Sequence, residues 1–183
     1  MFSFRQGVAV ALLGLALAPW SAPARDEASS SKPLVTSERL QLNLAGAEKI
    51  LEAAKRKAEA MGLKVNIAIV DDGGHLLAFA RMDGARPASG YTAQTKAVSA
   101  ATFRQETGTL PARGEPDVLL NLSLQNAAAA GGGKMTSLKG GVPVLVNGQI
   151  IGAVGVGGGT GEQDAEVAKA GIQALLDALR QQK

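Results

Sequence analysis

A single histidine and three cationic side chains are the residues of this sequence best suited to hold a ligand. His75 is the only histidine of the chain, and an imidazole can ligate a metal, carry a proton or serve as a polar surface group. Arg81, Arg86 and Lys96 follow it in the sequence, and cations of this kind hold carboxylate groups. The alternative for these three residues is an ordinary solvated, charged surface.

The composition excludes several kinds of site. The chain has no cysteine and one histidine, which excludes thiolate zinc sites, iron–sulfur clusters and multi-histidine metal centres within one chain. A cysteine nucleophile is excluded as well, and no serine lies in a nucleophile-elbow context. One axial histidine nevertheless suffices for haem, whose propionates the three cations could hold.

Two other patterns favour structural roles. The loop over residues 155–161, GVGGGTG, precedes a helix, as phosphate-binding loops do, but it lacks the Lys-Ser/Thr ending of a P-loop and follows a hairpin. We therefore expect a tight connection there. The acidic residues are interpreted as turn formers or as helix N-terminal residues rather than as paired catalytic carboxylates; they are Asp71, Asp72, Asp83, Glu162 and Asp164.

Two predicted hairpins must position these residues. Alternation over residues 65–70 is typical of a half-buried strand, the DDGG turn at 71–74 follows, and residues 75–82 return as the second strand. This places His75 at the mouth of the first hairpin. Residues 142–146 and 149–156 form the second hairpin around Asn147-Gly148, the preferred type I′ turn.

Helices are predicted before, between and after the hairpins. Asn43 caps a first helix that Gly62 ends, Ser89 caps a helix over 89–104, a short helix lies near 117–123, and Asp164 or a neighbour opens the last helix. Residues 127–133 are predicted to form a small-residue loop. The inward positions of the first helix are Leu44, Ala47, Ile50, Leu51, Ala54, Ala58 and Met61. This order predicts an α+β domain of one or two layers, with a central antiparallel sheet built from two hairpins and flanked by helices.

The N-terminal residues have the pattern of an export signal. Arg5 is the only charge in the first 24 residues, a short apolar run follows over 7–18, and Ala22-Pro23-Ala24 offers a cleavage site. We predict a signal peptide over 1–24, a flexible leader over 25–39 and one domain over 40–183, located in the periplasm or secreted. The alternative is an uncleaved anchoring helix.

The net charge argues against nucleic acid as a partner. The chain carries a formal net charge of +3, and cleavage would remove Arg5 and leave +2, too near neutral to indicate nucleic-acid binding. After cleavage we expect no stable membrane insertion.

Three blocks of the sequence resemble the GlcG/HbpS family of haem-binding proteins. They are VNIAIVDDGGHLLAFARMDGARPAS, TAQTKA and GGVPVLVNGQIIGAVGVGGGTGEQDAEVAKAG, and the resemblance extends over residues 40–179. The family is related to the C-terminal domain of PduO-type corrinoid adenosyltransferases. The resemblance implies a profilin-like fold, homo-oligomeric assembly and haem as cofactor, with His75 as candidate axial ligand of the haem iron. Gly157 departs from the family pattern, which has a serine there.

These observations lead to a functional hypothesis and two rivals. We expect an exported protein that binds haem or another tetrapyrrole and acts in sequestration, storage or sensing rather than turnover. The first rival is an enzyme or accessory protein for a small organic acid or a corrinoid, with His75 as acid–base group. The second is a structural oligomerisation module, which the aromatic content of 3% and the small-residue helix faces favour.

Overall fold

The computed structural model describes residues 39–111 and 113–182. The predicted signal peptide and the leader up to residue 38 lie outside the described residues, so both stay predictions. The elements along the described chain are α1 (Leu44–Ala60), β1 (Asn66–Asp71), β2 (Leu76–Arg81), α2 (Ala88–Phe103), α3 (Val118–Ala130), β3 (Gly141–Val146), β4 (Gln149–Gly157) and α4 (Gly161–Gln181).

The two predicted hairpins join into one antiparallel sheet. The strand order is β2-β1-β4-β3, and β1 pairs with β4 between Asn66↔Gly157 and Asp71↔Gly152. Asn147 and Gly148 both have positive φ, at 48° and 76°, as a type I′ turn requires. The α+β class and the central antiparallel sheet are thus confirmed.

Helices cover both faces of this sheet, so the domain has three layers and not one or two. Ile67 and Ile69 of β1 face α1 and α4 in the larger core. Ala68 and Val70 face α2 in a second, alanine-rich cluster. The prediction of a half-buried β1 is therefore wrong, because the small residues between the isoleucines are buried by α2 instead of facing water.

Glycines of β3 and β4 let α2 pack directly on the sheet backbone. A Cβ atom at Gly157 would lie 2.6 Å from the Ser89 carbonyl oxygen and 2.6 Å from Thr92 Oγ1. Gly155 and Gly141 lie under Ala93 and Lys96 in the same way. The serine that the family pattern has at position 157 would therefore collide with α2 as it is placed here.

The helix ends agree only partly with the predictions. Asn43 caps α1 by accepting a hydrogen bond from the Gly46 N–H at 2.9 Å. Leu44 was predicted to face inward but is 54% exposed, because it lies in the first turn of α1, before the first buried residue of the helix, Ala47. Ser89 is not a cap: α2 begins one residue earlier, and Ser89 is buried inside the helix.

The ends of α3 and α4 correct two further predictions. α3 continues to Ala130, through half of the predicted loop, because its run of alanines has high helix propensity. Thr160 caps α4 in a capping box with Gln163, which leaves Asp164 free to turn inward. Within the described part of the chain, no helix combines the length and apolar character needed to cross a bilayer.

Candidate functional site

The imidazole of His75 is exposed and held from one side by Asp71. Its side chain is 83% exposed, and Nδ1 lies 3.1 Å from Asp71 Oδ2 and 3.2 Å from Oδ1. Since an ionised carboxylate only accepts hydrogen bonds, Nδ1 carries the proton of the neutral ring and donates it. Among the described residues the other ring nitrogen, Nε2, has no hydrogen-bond partner, so its lone pair can bind a metal. Metal-binding histidines commonly have this arrangement.

Asp71 also builds the turn that places His75. Its Oδ1 accepts hydrogen bonds from the backbone N–H groups of Gly73 at 2.9 Å and His75 at 2.8 Å. Partial burial raises the pKa of Asp71, but the hydrogen bonds from His75 and Gly73 together lower it by more, so the net shift is downward. Asp71 is thus both the turn former that the sequence predicted and the group that orients the imidazole.

A cleft between the first hairpin and α2 opens beside the imidazole. This His75 cleft has a volume of about 490 Å³ and is lined by residues that include His75, Leu76, Tyr91, Gln94, Val98 and Lys134. Leu76 is 52% and Tyr91 77% exposed, so an apolar wall stands open to solvent next to the free nitrogen. Such a cleft can take a flat, largely apolar ligand.

Tyr91 and Lys134 are residues of this cleft that sequence reasoning missed. Tyr91, Gln94, Thr95 and Val98 recur at the spacing of one helix face, a signal that was present in the sequence. A tyrosine is also a known axial ligand of haem iron. Lys134 follows the three glycines after α3, and no sequence pattern pointed to it.

Lys96 is buried and paired on the other side of α2. Its Nζ donates to Asp164 Oδ2 at 2.7 Å and to the Val156 carbonyl oxygen at 2.8 Å. Asp164 Oδ1 accepts a hydrogen bond from the Gly159 N–H at 2.9 Å. Lys96 is 5% and Asp164 1% exposed, so the pair ties α2, β4 and α4 together inside the protein.

The predicted binding residues lie in three different clefts. Arg86 and Lys96 line a second cleft of about 400 Å³, the Lys96 cleft, together with Asp164 and the 158–161 loop. Arg81 lines a third, of about 530 Å³, between α1 and the end of β2. Neither arginine nor Lys96 lines the His75 cleft. The structure therefore brings Arg86 and Lys96 together, but not with His75 or Arg81.

The acidic residues form no cation site in the part of the chain that the structure describes. No group of three or more histidine or carboxylate side chains there is arranged to hold a metal ion. Asp72 pairs with Arg39, and Glu162 with Lys139 at 3.0 Å. The lysine lowers the pKa of Glu162 through its hydrogen bond.

The fold and the His75 cleft define a class: an α+β domain whose four-stranded antiparallel sheet positions one histidine beside an open apolar cleft. Residues 42–173 match the family described as "Haem degrading protein HbpS-like". The chain belongs to this HbpS-like family.

Individual relatives agree with this assignment. Protein GlcG of Escherichia coli strain K12 is 46% identical over 110 residues, 60% of this chain and 76% of that protein. A crystal structure of a double mutant of Streptomyces reticuli HbpS has a TM-score of 0.62 and 30% identity, covering 87% of this chain and 98% of that one. A structure of a PduOC:heme complex has a TM-score of 0.61 and 24% identity, covering 74% and 95%, a likeness of fold.

Proposed function

We propose that this protein is an exported haem-binding protein, and that His75 is an axial ligand of the haem iron. One observation carries the proposal: the imidazole has a free Nε2, a carboxylate on Nδ1 and an open apolar cleft beside it. Membership of the HbpS-like family, whose description names haem, supports it. Sequestration, storage or sensing are the roles that a bound but unreacted haem would serve.

The residues of the His75 cleft fit what haem needs. His75 would hold the iron, and a bound haem would supply a metal centre whose redox potential depends on its protein ligand. Leu76, Tyr91 and Val98 offer apolar surface for the ring, and Lys134 is a cation of the same cleft for a propionate. Arg81, Arg86 and Lys96 stay predictions as propionate partners, and their positions in other clefts lead us to expect smaller effects from them.

A haem titration of three variants tests which side chain holds the iron. We expect His75→Ala to weaken haem binding by at least about 100-fold and to shift the Soret band, because a ligand bond is lost. Gln94→Ala, in the same cleft but without a ligating group, is the matched control and should bind nearly as wild type. If Tyr91→Phe abolishes the band while His75→Ala leaves it unchanged, tyrosine and not histidine is the ligand.

The same titration addresses cobalamin and turnover. Cobalamin added in place of haem tests the corrinoid alternative, which predicts that cobalamin binds more tightly than haem does. Loss of Soret absorbance over time with ascorbate as reductant would indicate haem degradation, as the family's description names, instead of storage. We expect a stable spectrum.

Lys134 is the cation that we propose for a propionate. Lys134→Gln should weaken haem binding by about threefold to tenfold, as expected for one exposed charge-assisted contact. Lys49→Gln changes an exposed lysine of α1, on the opposite face of the sheet, and should have no effect. Equal losses in both variants would indicate a general charge effect and remove Lys134 from the site.

Assembly of several copies belongs to this proposal. α3 exposes apolar side chains that include Leu119, 76% exposed, and Leu122, 56% exposed, and the His75 cleft itself leaves much of a flat ligand open to water. A second copy placed over these surfaces would bury both. Light scattering should give a mass above that of one chain, and Leu119→Glu with Leu122→Glu should reduce it. A wild-type protein with the mass of a single chain would exclude assembly of several copies.

Export rests on the N-terminal sequence pattern. Expression of the full chain in Escherichia coli, followed by N-terminal sequencing of the periplasmic fraction, should give a chain that begins at Arg25. A protein retained in the cytoplasm with Met1 would contradict export.

A further inference from the structure

The Lys96 cleft has the features of a second binding site, separate from the one proposed for haem. The buried pair of Lys96 and Asp164 lines this cleft. The ammonium group of Lys96 donates one hydrogen bond to Asp164 Oδ2 at 2.7 Å and one to the Val156 carbonyl oxygen at 2.8 Å. An ammonium group has three N–H donors, and these two contacts use two of them.

Arg86 stands at the edge of this cleft in a fixed position. Its Nε donates to Ser89 Oγ at 3.0 Å, and its carbonyl oxygen accepts a hydrogen bond from Asn66 Nδ2 at 3.0 Å. Asn66 and Ser89 are both buried. Within the described residues the terminal nitrogens of the guanidinium have no partner, so the planar group is held in place with donors to spare.

Two glycines let the backbone approach the pair of Lys96 and Asp164 closely. A Cβ atom at Gly140 would lie 2.9 Å from Lys96 Nζ and 2.7 Å from Asp164 Cβ. At Gly159 it would lie 3.2 Å from Asp164 Oδ1. Any side chain at these positions would press against the ion pair, so both positions favour glycine.

The charges around the cleft select the ligand. Three basic side chains, Arg86, Lys96 and Lys139, and two acidic ones, Glu162 and Asp164, line it. The basic side chains outnumber the acidic ones by one. A ligand with a single negative charge balances this excess positive charge, whereas a dianion exceeds it. The volume of about 400 Å³ lies near the lower end of the range for ligand pockets.

We propose that the Lys96 cleft binds a small carboxylate anion, with Arg86 and the third N–H of Lys96 as its donors and Asp164 as the residue that positions Lys96. His75 does not line this cleft, and the haem-free protein can be tested for carboxylate binding on its own. The Lys96 cleft uses a different face of α2 from the one that carries Tyr91 and Val98.

Amide NMR spectra of the haem-free protein test the site with acetate as the probe, at ionic strength held constant with chloride. We expect saturable shifts of the Gly158, Gly159 and Gly161 amides, with Gly73 and Gly74 of the first hairpin unchanged. Arg86→Gln, which leaves the buried ion pair intact, should weaken acetate binding by about tenfold to 100-fold, the effect of a lost charged hydrogen bond. Arg81→Gln, in another cleft, is the matched control and should bind as wild type.

Three results would overturn the proposal. The first is shifts that grow linearly with acetate and never saturate. The second is equal weakening by the Arg86 and Arg81 variants. The third is tighter binding of inorganic phosphate than of acetate, which would refute the preference for a single charge. None of these results depends on whether haem binds.

Discussion

Two clefts lie on neighbouring faces of α2, and they differ in how their polar groups are held. In the His75 cleft the imidazole is 83% exposed and has one carboxylate partner. In the Lys96 cleft the ammonium group is buried and has two partners within 2.8 Å. The first cleft has an imidazole nitrogen beside exposed apolar surface. In the second, the ammonium group and the carboxylate bind each other and join α2, β4 and α4.

This difference shows why nearness in sequence is a poor guide to a shared site. His75, Arg81, Arg86 and Lys96 fall within a short segment, yet a hairpin and a helix distribute them over three clefts. Successive helix residues point in different directions, so Tyr91 faces one cleft and Thr92 the other. We expect substitutions in the two clefts to have separable effects, on stability in one and on haem in the other.

The largest effect on stability should come from the buried ion pair. Lys96→Met leaves Asp164 buried without its partner, and we expect a loss of about 3–5 kcal/mol in the free energy of unfolding, measured by urea denaturation. Lys139→Met breaks an exposed pair with Glu162 and should cost less than about 1 kcal/mol. Similar losses of unfolding free energy in both variants would mean that the buried ion pair stabilises the protein no more than the exposed one does.

An intermediate effect is expected where α2 rests on β4, between the two clefts. Gly157→Ser places a side chain against the Ser89 carbonyl and Thr92 Oγ1, each 2.6 Å from the new Cβ, and should cost about 1–3 kcal/mol, the range for overpacking. Gly108→Ser is the control, since no atom lies within 4 Å of its Cβ position. An unchanged melting temperature in the Gly157 variant would show that α2 shifts freely and that the clefts are not rigid.

The smallest effect on stability concerns Asp71 in the exposed cleft. Its pKa in the folded protein is lowered, so the stabilisation that it contributes is present above its unfolded pKa, near 4, and is lost as the pH falls through the lower folded value. Asp71→Asn should remove this contribution, less than about 1 kcal/mol at pH 7 for a partly exposed group, and make the difference from wild type shrink at pH 3. Urea denaturation of both proteins at pH 7 and pH 3 measures this, and an equal difference at the two pH values would contradict the role of Asp71.

Much of the fold followed from local patterns, whereas the layer structure and the site composition did not. Asn43, the Asn147-Gly148 turn and the alternation in β1 act through neighbouring residues, so their elements were predictable. The burial of Ala68 and Val70 depends on α2 packing over glycines far away in the chain. The pairing of Lys96 with Asp164 likewise joins residues 68 positions apart.

Of the residues in the candidate site, only His75 was predictable from the sequence. His75 stood out because it is unique and follows a turn, and Asp71 was assigned correctly as a turn former. Its second role, on Nδ1, depends on the hairpin geometry. Tyr91 and Lys134 reach the same cleft from α2 and from the segment after α3, which no local pattern relates to the hairpin.

Chemical rescue of a cavity variant tests most directly whether His75 holds the haem iron. His75→Gly removes the imidazole, and free imidazole added to the haem-loaded variant takes the vacated position. We predict that imidazole restores the wild-type Soret maximum and haem affinity in His75→Gly. A His75→Gly protein that binds haem with the wild-type spectrum and affinity before any imidazole is added would contradict the account.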